Sequence, residues 1–189
     1  RMFEADILGR ICTAATGQVI EFRKLRCFGA GESQIAEKLG DMMRRGRNPL
    51  VNCTVQYGVV SLHIIASSRM LAEAKKLADE DEQVMRELLG DIVFGTGEET
   101  LAEIVGRMLA QSGRKLAVAE SCTGGLLCKL ITDVPGSSGY FSHGWVSYAN
   151  EAKTSELGVS PDTIAKFGAV SPETAAEMAA GALARSGAD

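Results

Sequence analysis

The 189-residue sequence predicts an α/β protein in two modules, a small α+β module followed by an α/β module. Three observations carry this. Strand and helix patterns in the first half run in the order βαββαβ. The second half alternates apolar strands with amphipathic helices. Between them, Thr96-Gly97-Glu98-Glu99 matches a capping box, which opens a new helix just after Gly95 and divides the chain into 1–95 and 96–189.

Composition fits this reading. An apolar fraction of 46% with 23% charged residues is that of an ordinary globular protein, long enough for one good core or two small ones. A net charge of −4 gives no general pull toward nucleic acid or anionic lipid. No stretch resembles a signal peptide and no apolar run is long enough to span a bilayer, so a cytoplasmic protein with neither a nucleic-acid nor a membrane partner is expected. The five cysteines, Cys12, Cys27, Cys53, Cys122 and Cys128, are an odd set without a CxxC pair or a His at metal-ligand spacing. They read as reduced thiols, and no metal or cofactor is expected.

Residues 1–16 carry Met2, Phe3, Ile7, Leu8 and Ile11 without caps and read as the tail of an upstream segment; a chain that starts at Arg1 reads as a fragment or a processed product. Residues 18–28 alternate as a strand that Gly29 and Gly31 end. Ser33 is expected to cap a helix with Ile35, Leu39, Met42 and Met43 on one face. Residues 50–66 predict two strands joined at Tyr57-Gly58, and Ser67 or Ser68 a cap for the long helix that Gly90 closes; a short strand covers residues 92–94. The basic cluster Arg44, Arg45 and Arg47 complements a helix C-terminus and has no aromatic platform beside it.

Beyond the boundary, the spacing predicts strands over 115–120 and 139–148 and helices over 124–132 and 151–157. Ser160-Pro161 and Ser171-Pro172, a cap followed by Pro at the first helical position, open two more. Two strands are too few for a self-contained parallel sheet covered on both faces, so the domain is expected to continue past Asp189 and to lack part of its core here.

The chemistry centres on residues 116–125, LAVAESCTGG. A buried strand stops at Glu120 and Ser121, and a Thr and two glycines precede the next helix. Such a turn exposes a hydroxyl where free backbone N–H groups favour negative charge. Ser121 is either a helix cap or a nucleophile. As a nucleophile it needs a base. His63 sits in an apolar strand of the other module; His143 lies in YFSHGWVSY without an obvious carboxylate to orient it. Lys153 falls in the first turn of a helix that Asn150 can cap, where the dipole disfavours a cation; burial or a neighbouring cation would favour its neutral form, which can accept a proton. Tyr148, just before that turn, is placed to relay a proton. Cys122 is the rival nucleophile, and Thr123, Gly124 and Gly125 suit anion binding by backbone N–H groups.

AESCTGG, TDVPGSSGYF, VSYANEAK, LGV and GAVSPETAAEMAAGA, in that order, closely resemble the C-terminal domain of the CinA family of competence/damage-inducible proteins, and LRCFGAGES with GDIVFG resembles the family's KH-type middle module. The resemblance implies a KH-type α+β module followed by a truncated three-layer α/β/α amidase domain. It implies hydrolysis of the carboxamide of nicotinamide mononucleotide to nicotinic acid mononucleotide and ammonia, within pyridine nucleotide salvage. Separately, a truncated sheet with an exposed edge favours association, and a homo-oligomer, as a dimer, is expected. By match to the family motifs, Ser121 is the nucleophile, Lys153 its base and Tyr148 the assisting hydroxyl, with oxyanion and substrate contacts from Cys122, Thr123, Gly124 and Gly125. The chain departs from the family in three places. The N-terminal molybdopterin-binding-type domain is absent, a GPGG-like segment is missing after Asp189, and His143 and Trp145 stand where smaller residues are expected. These departures put the activity of the 189-residue chain itself in question. The alternative is a nucleotide-binding or regulatory protein that holds the nucleotide without turning it over.

Overall fold

The computed structural model describes residues 17–189. The expectations for residues 1–16, with Cys12, lie outside the described residues. The chain divides into two compact units, the first ending at Glu99 and the second spanning Thr100–Asp189.

The first unit holds β1 (Val19–Cys27), α1 (Glu32–Leu39), β2 (Leu50–Gln56), β3 (Val59–Ser68), α2 (Leu71–Leu89) and β4 (Val93–Thr96), the βαββαβ order that the sequence predicts. Its sheet is antiparallel in the order β2-β3-β1-β4. The hairpin turns at Tyr57 and Gly58, both at positive φ (50° and 78°), which matches the twist of the flanking strands. Alternation sends Leu25, Cys27, Val51, Leu62 and Ile64 to one face, where Ile35, Leu39, Ala78, Met85 and Leu89 of the two helices close a continuous core. Arg47 does not form a free basic patch with its neighbours. Its guanidinium pairs with the buried Asp81 through both carboxylate oxygens and donates to the Pro49 carbonyl (3.0 Å).

The second unit holds α3 (Leu101–Ser112), β5 (Leu116–Glu120), α4 (Leu126–Thr132), β6 (Phe141–Val146), α5 (Asn150–Leu157), α6 (Pro161–Phe167) and α7 (Pro172–Ser186). β5 and β6 pair in parallel. Adjacent β5 residues face opposite ways. Val118 packs with Ile131 and Tyr140, whereas Ala119 joins Trp145 against Leu157, Val159, Met178 and Ala182. Helices thus cover both faces of two strands. Gly181 lets α7 approach α5 closely, since a Cβ there would lie 1.8 Å from the Leu157 carbonyl oxygen. The last residue lies beside β5, its N–H donating to the Lys115 carbonyl (3.2 Å) and its carboxylate accepting from the Lys115 N–H (2.8 Å).

The helix starts need several corrections. α1 is capped at Gly31, whose N–H donates to Gln34 Oε1 (3.0 Å), so Ser33 lies inside the helix. α2 begins after Met70, with Ser68 Oγ accepting from the Met70 N–H. The Thr96/Glu99 pair closes a turn after β4, and α3 starts four residues later at a second box, Thr100 with Glu103. The N-cap of α5 is Ala149 rather than Asn150. Ser160 and Ser171 cap α6 and α7 as expected. Among the described residues, no helix is long and apolar enough to cross a membrane.

Candidate active site

The turn after β5 holds the site. Ser121 follows the last strand residue, and α4 starts only at Leu126, with Gly125 as its N-cap and no side-chain cap bond. Ser121 therefore does not cap the helix. The cap comes from Glu120, whose carboxylate accepts from the N–H groups of Leu127 (2.9 Å) and Cys128 (2.8 Å) in the first turn of α4. Glu120 is only 3% exposed. Burial by itself pushes its carboxyl up, but hydrogen bonds from the Cys128 and Thr123 side chains and from the two amides outweigh it and hold it down at about 2. The same contact, with burial as the larger cause, pushes the Cys128 thiol up to about 11.

Lys153, in the first turn of α5, is 1% exposed. Its Nζ lies 2.9 Å from the Ser147 carbonyl, 3.1 Å from the Tyr148 carbonyl and 3.1 Å from Ser121 Oγ. No carboxylate pairs with it among the described residues. The end of β6 supplies the two carbonyls, and it is tied to β5 by the Ser147 N–H, which donates to the Glu120 carbonyl (2.9 Å). Ser147 Oγ is buried without a hydrogen-bond partner among the described residues.

The structure thus brings Ser121 and Lys153 together across 32 residues of sequence. Tyr148 reaches the pair through its carbonyl only; its side chain is 72% exposed. Of the loop amides, that of Gly124 is engaged by the Ser121 carbonyl (3.0 Å), whereas those of Cys122, Thr123 and Gly125 have no acceptor among the described residues. Gly124 and Gly125 adopt φ of 60° and 97°, which a side chain would strain. Cys122 is exposed, and among the described residues its thiol makes no hydrogen bond to a base. His143 stacks on Trp145, with ring centroids 5.4 Å apart, and makes no hydrogen bond to Ser121. His63 stacks on Phe22 and pairs with Thr54 Oγ1 (3.0 Å) in the first unit.

A cavity of about 450 Å³ adjoins Ser121 and Cys122, between β5 and α7. Its walls are Leu116, Ala117, Ala119, Val170, Met178 and small neighbours that include Ser171, and among the described residues Asp189 is the one charged residue that lines it.

Two family descriptions match this chain. "CinA C-terminal domain" matches residues 98–189, and "Damage-inducible protein CinA KH domain" matches residues 22–95. The chain belongs to the CinA family. A competence-damage inducible protein of Caldicellulosiruptor saccharolyticus is 46% identical over 167 residues, covering 88% of this chain and 41% of that protein. One from Symbiobacterium thermophilum is 43% identical over 190 residues, covering all of this chain and 45% of that protein. The chain thus spans less than half the length of these curated relatives. A crystal structure of a CinA superfamily protein from Escherichia coli is 35% identical, with a TM-score of 0.46, over 47% of this chain and 52% of that one.

Glu120 is the site residue that the sequence reading left without a role. A signal existed, since it is the one carboxylate in an otherwise apolar strand, LAVAE, directly before the turn.

Proposed function

We propose that this chain carries the site of a nicotinamide-nucleotide amidase, which converts nicotinamide mononucleotide and water to nicotinic acid mononucleotide and ammonia. The observation that carries the reading is the environment of Lys153 Nζ. Two of its tetrahedral directions are taken by carbonyls, and the third faces Ser121 Oγ at 3.1 Å. A neutral amine there holds two N–H bonds on the carbonyls and directs its lone pair at the hydroxyl.

In the proposed reaction, Ser121 Oγ attacks the carboxamide carbon while its proton passes to Nζ. The tetrahedral oxyanion is met by the loop amides of Cys122, Thr123 and Gly125, each worth about 3 kcal/mol where aligned. Gly124, whose amide is engaged, is left with a backbone role in this arrangement. Collapse breaks the C–N bond, and the proton on Nζ leaves with the amine as ammonia. Water then adds to the Ser121 ester, Nζ takes and returns a proton, and the carboxylate product departs. Tyr148 supports this reaction through its carbonyl; its phenol would meet a bound substrate only after a change of rotamer.

The test is ammonia release from nicotinamide mononucleotide, measured for this chain and for a protein of its relatives' full length, with Ser121→Ala beside each. The reading predicts release that Ser121→Ala removes. Nucleotide binding without release in both would instead favour a regulatory nucleotide-binding protein.

A further inference from the structure

Glu120 makes no hydrogen bond to Ser121 Oγ or Lys153 Nζ, yet it ends β5 and bonds both the start of α4 and the segment after β6. Its two carboxylate oxygens hold the amides of Leu127 and Cys128, and the nearby Thr123 and Cys128 side chains help to hold its carboxyl down. The side chain thereby closes the five-residue turn 121–125 between β5 and α4. Its own carbonyl accepts the Ser147 N–H at 2.9 Å, and the Ser147 carbonyl accepts from Lys153 Nζ at 2.9 Å. One residue therefore fixes the nucleophile's turn through its side chain and the base's platform through its main chain.

We infer that Glu120 is the positioning residue of the site, holding Ser121 and Lys153 in register; this rests on the Ser121–Lys153 reading above. A carboxylate is needed for a physical reason. The turn is rich in small residues and has left-handed backbone at Gly124 and Gly125, and the N-cap of α4 is a glycine without a side chain; the Thr123 carbonyl takes the Leu126 amide (3.1 Å), and the next two amides are left for Glu120. Each of the two N–H donors has its own carboxylate oxygen. A glutamine in the same pose offers one oxygen and turns its NH₂ toward the other amide. Gly144 of β6 makes room beside this helix start, since a Cβ there would lie 2.5 Å from Cys128 Sγ. Because Glu120 occupies the amides at the start of α4, an oxyanion is left to the turn amides, which the same carboxylate orders.

The test uses Glu120→Gln with two readouts. Amide hydrogen exchange at Leu127 and Cys128 reports the clamp, whatever the reaction. Labelling of Ser121 by a fluorophosphonate, followed by peptide mapping across pH, reports the placement of nucleophile and base. Glu120→Gln is expected to speed exchange at one of the two amides by about tenfold or more, and to slow labelling per folded molecule by about tenfold or more with an unchanged pH midpoint, since it acts by placement. Exchange and labelling both within about twofold of the parent would overturn the inference; a loss of stability with unchanged labelling would also overturn it, by making Glu120 merely structural. If Glu120→Gln does not fold, Thr123→Val removes one donor and keeps the carboxylate. Labelling slowed by about threefold or more supports the inference, and parental labelling overturns it. A parent whose Ser121 is never labelled refutes the nucleophile reading instead, and the exchange readout still decides for or against the clamp.

Discussion

In the first unit the buried Asp81 carboxylate meets the Arg47 guanidinium, charge against charge, under a continuous apolar core. In the second unit Lys153 and Glu120 are each buried without a counter-ion among the described residues, held by neutral donors and acceptors on either side of a two-stranded sheet. The Arg47–Asp81 pair cancels its own charge and is finished as chemistry. An ionisable group held only by neutral carbonyls, hydroxyls or amides is not completed by an ion pair and is left to act on a neighbour or to order a turn, and such groups cluster at functional sites. The core of the second unit is also divided into two small clusters, one on each face of β5, which leaves the turn at the strand's end to be organised by hydrogen bonds rather than by packing.

Several substitutions would break or sharpen this contrast. The largest effect is expected for Lys153→Met, which keeps the length of the side chain and removes the base. Turnover should fall by about 10³, while no unpaired charge is created, so unfolding of the second unit should shift little beside that loss. Next, Gly181→Ala drives a Cβ into the Leu157 carbonyl at 1.8 Å, under the helix that carries Lys153. Denaturant unfolding of the second unit should lose about 3 kcal/mol or more. Arg47→Met is the counterpart of Lys153→Met. It leaves Asp81 buried without its cation, and because Arg47 is partly exposed the expected cost is about 2 kcal/mol in the stability of the first unit. If Arg47→Met proves neutral, the opposition between paired and unpaired buried charge fails.

Acid gives the mildest of these tests. The Glu120 carboxyl is held down at about 2, below its ordinary range, so the folded state favours its ionised form. The stability it contributes is complete above the ordinary carboxyl value of about 4.3 and is lost as pH falls from there toward 2. Hydrogen exchange at Leu127 and Cys128 should accelerate through that window, and in Glu120→Gln this acceleration should be absent.

The sequence was most legible where a signal is local and unrivalled. The Ser-Pro caps of α6 and α7 and the Tyr57-Gly58 hairpin are such signals, and so is the placement of Ser121 after a strand and of Lys153 in a helix's first turn. It misled where two local signals compete. Thr96…Glu99 and Thr100…Glu103 both read as capping boxes, and only the second opens a helix, because the backbone at Thr96 is already committed to β4 beside Leu25. Placement offered Lys153 as one candidate base for Ser121 and the family resemblance singled the pair out, while their meeting itself depends on the parallel register of β5 with β6, a long-range property. The role of Glu120 was hidden for a related reason. A carboxylate at a strand end is ordinarily solvated, and only the fold shows that the amides of Leu127 and Cys128 converge on it. Tyr148 stands apart, since its carbonyl meets Lys153 while its side chain is exposed.

The most direct measurement is to quench a reaction with nicotinamide mononucleotide in acid and to weigh the peptide that contains Ser121. The account predicts that a nicotinoyl-nucleotide ester accumulates on Ser121 in the parent protein and is absent from Ser121→Ala. Turnover that survives Ser121→Ala, or an acyl group found on Cys122 instead, would contradict it.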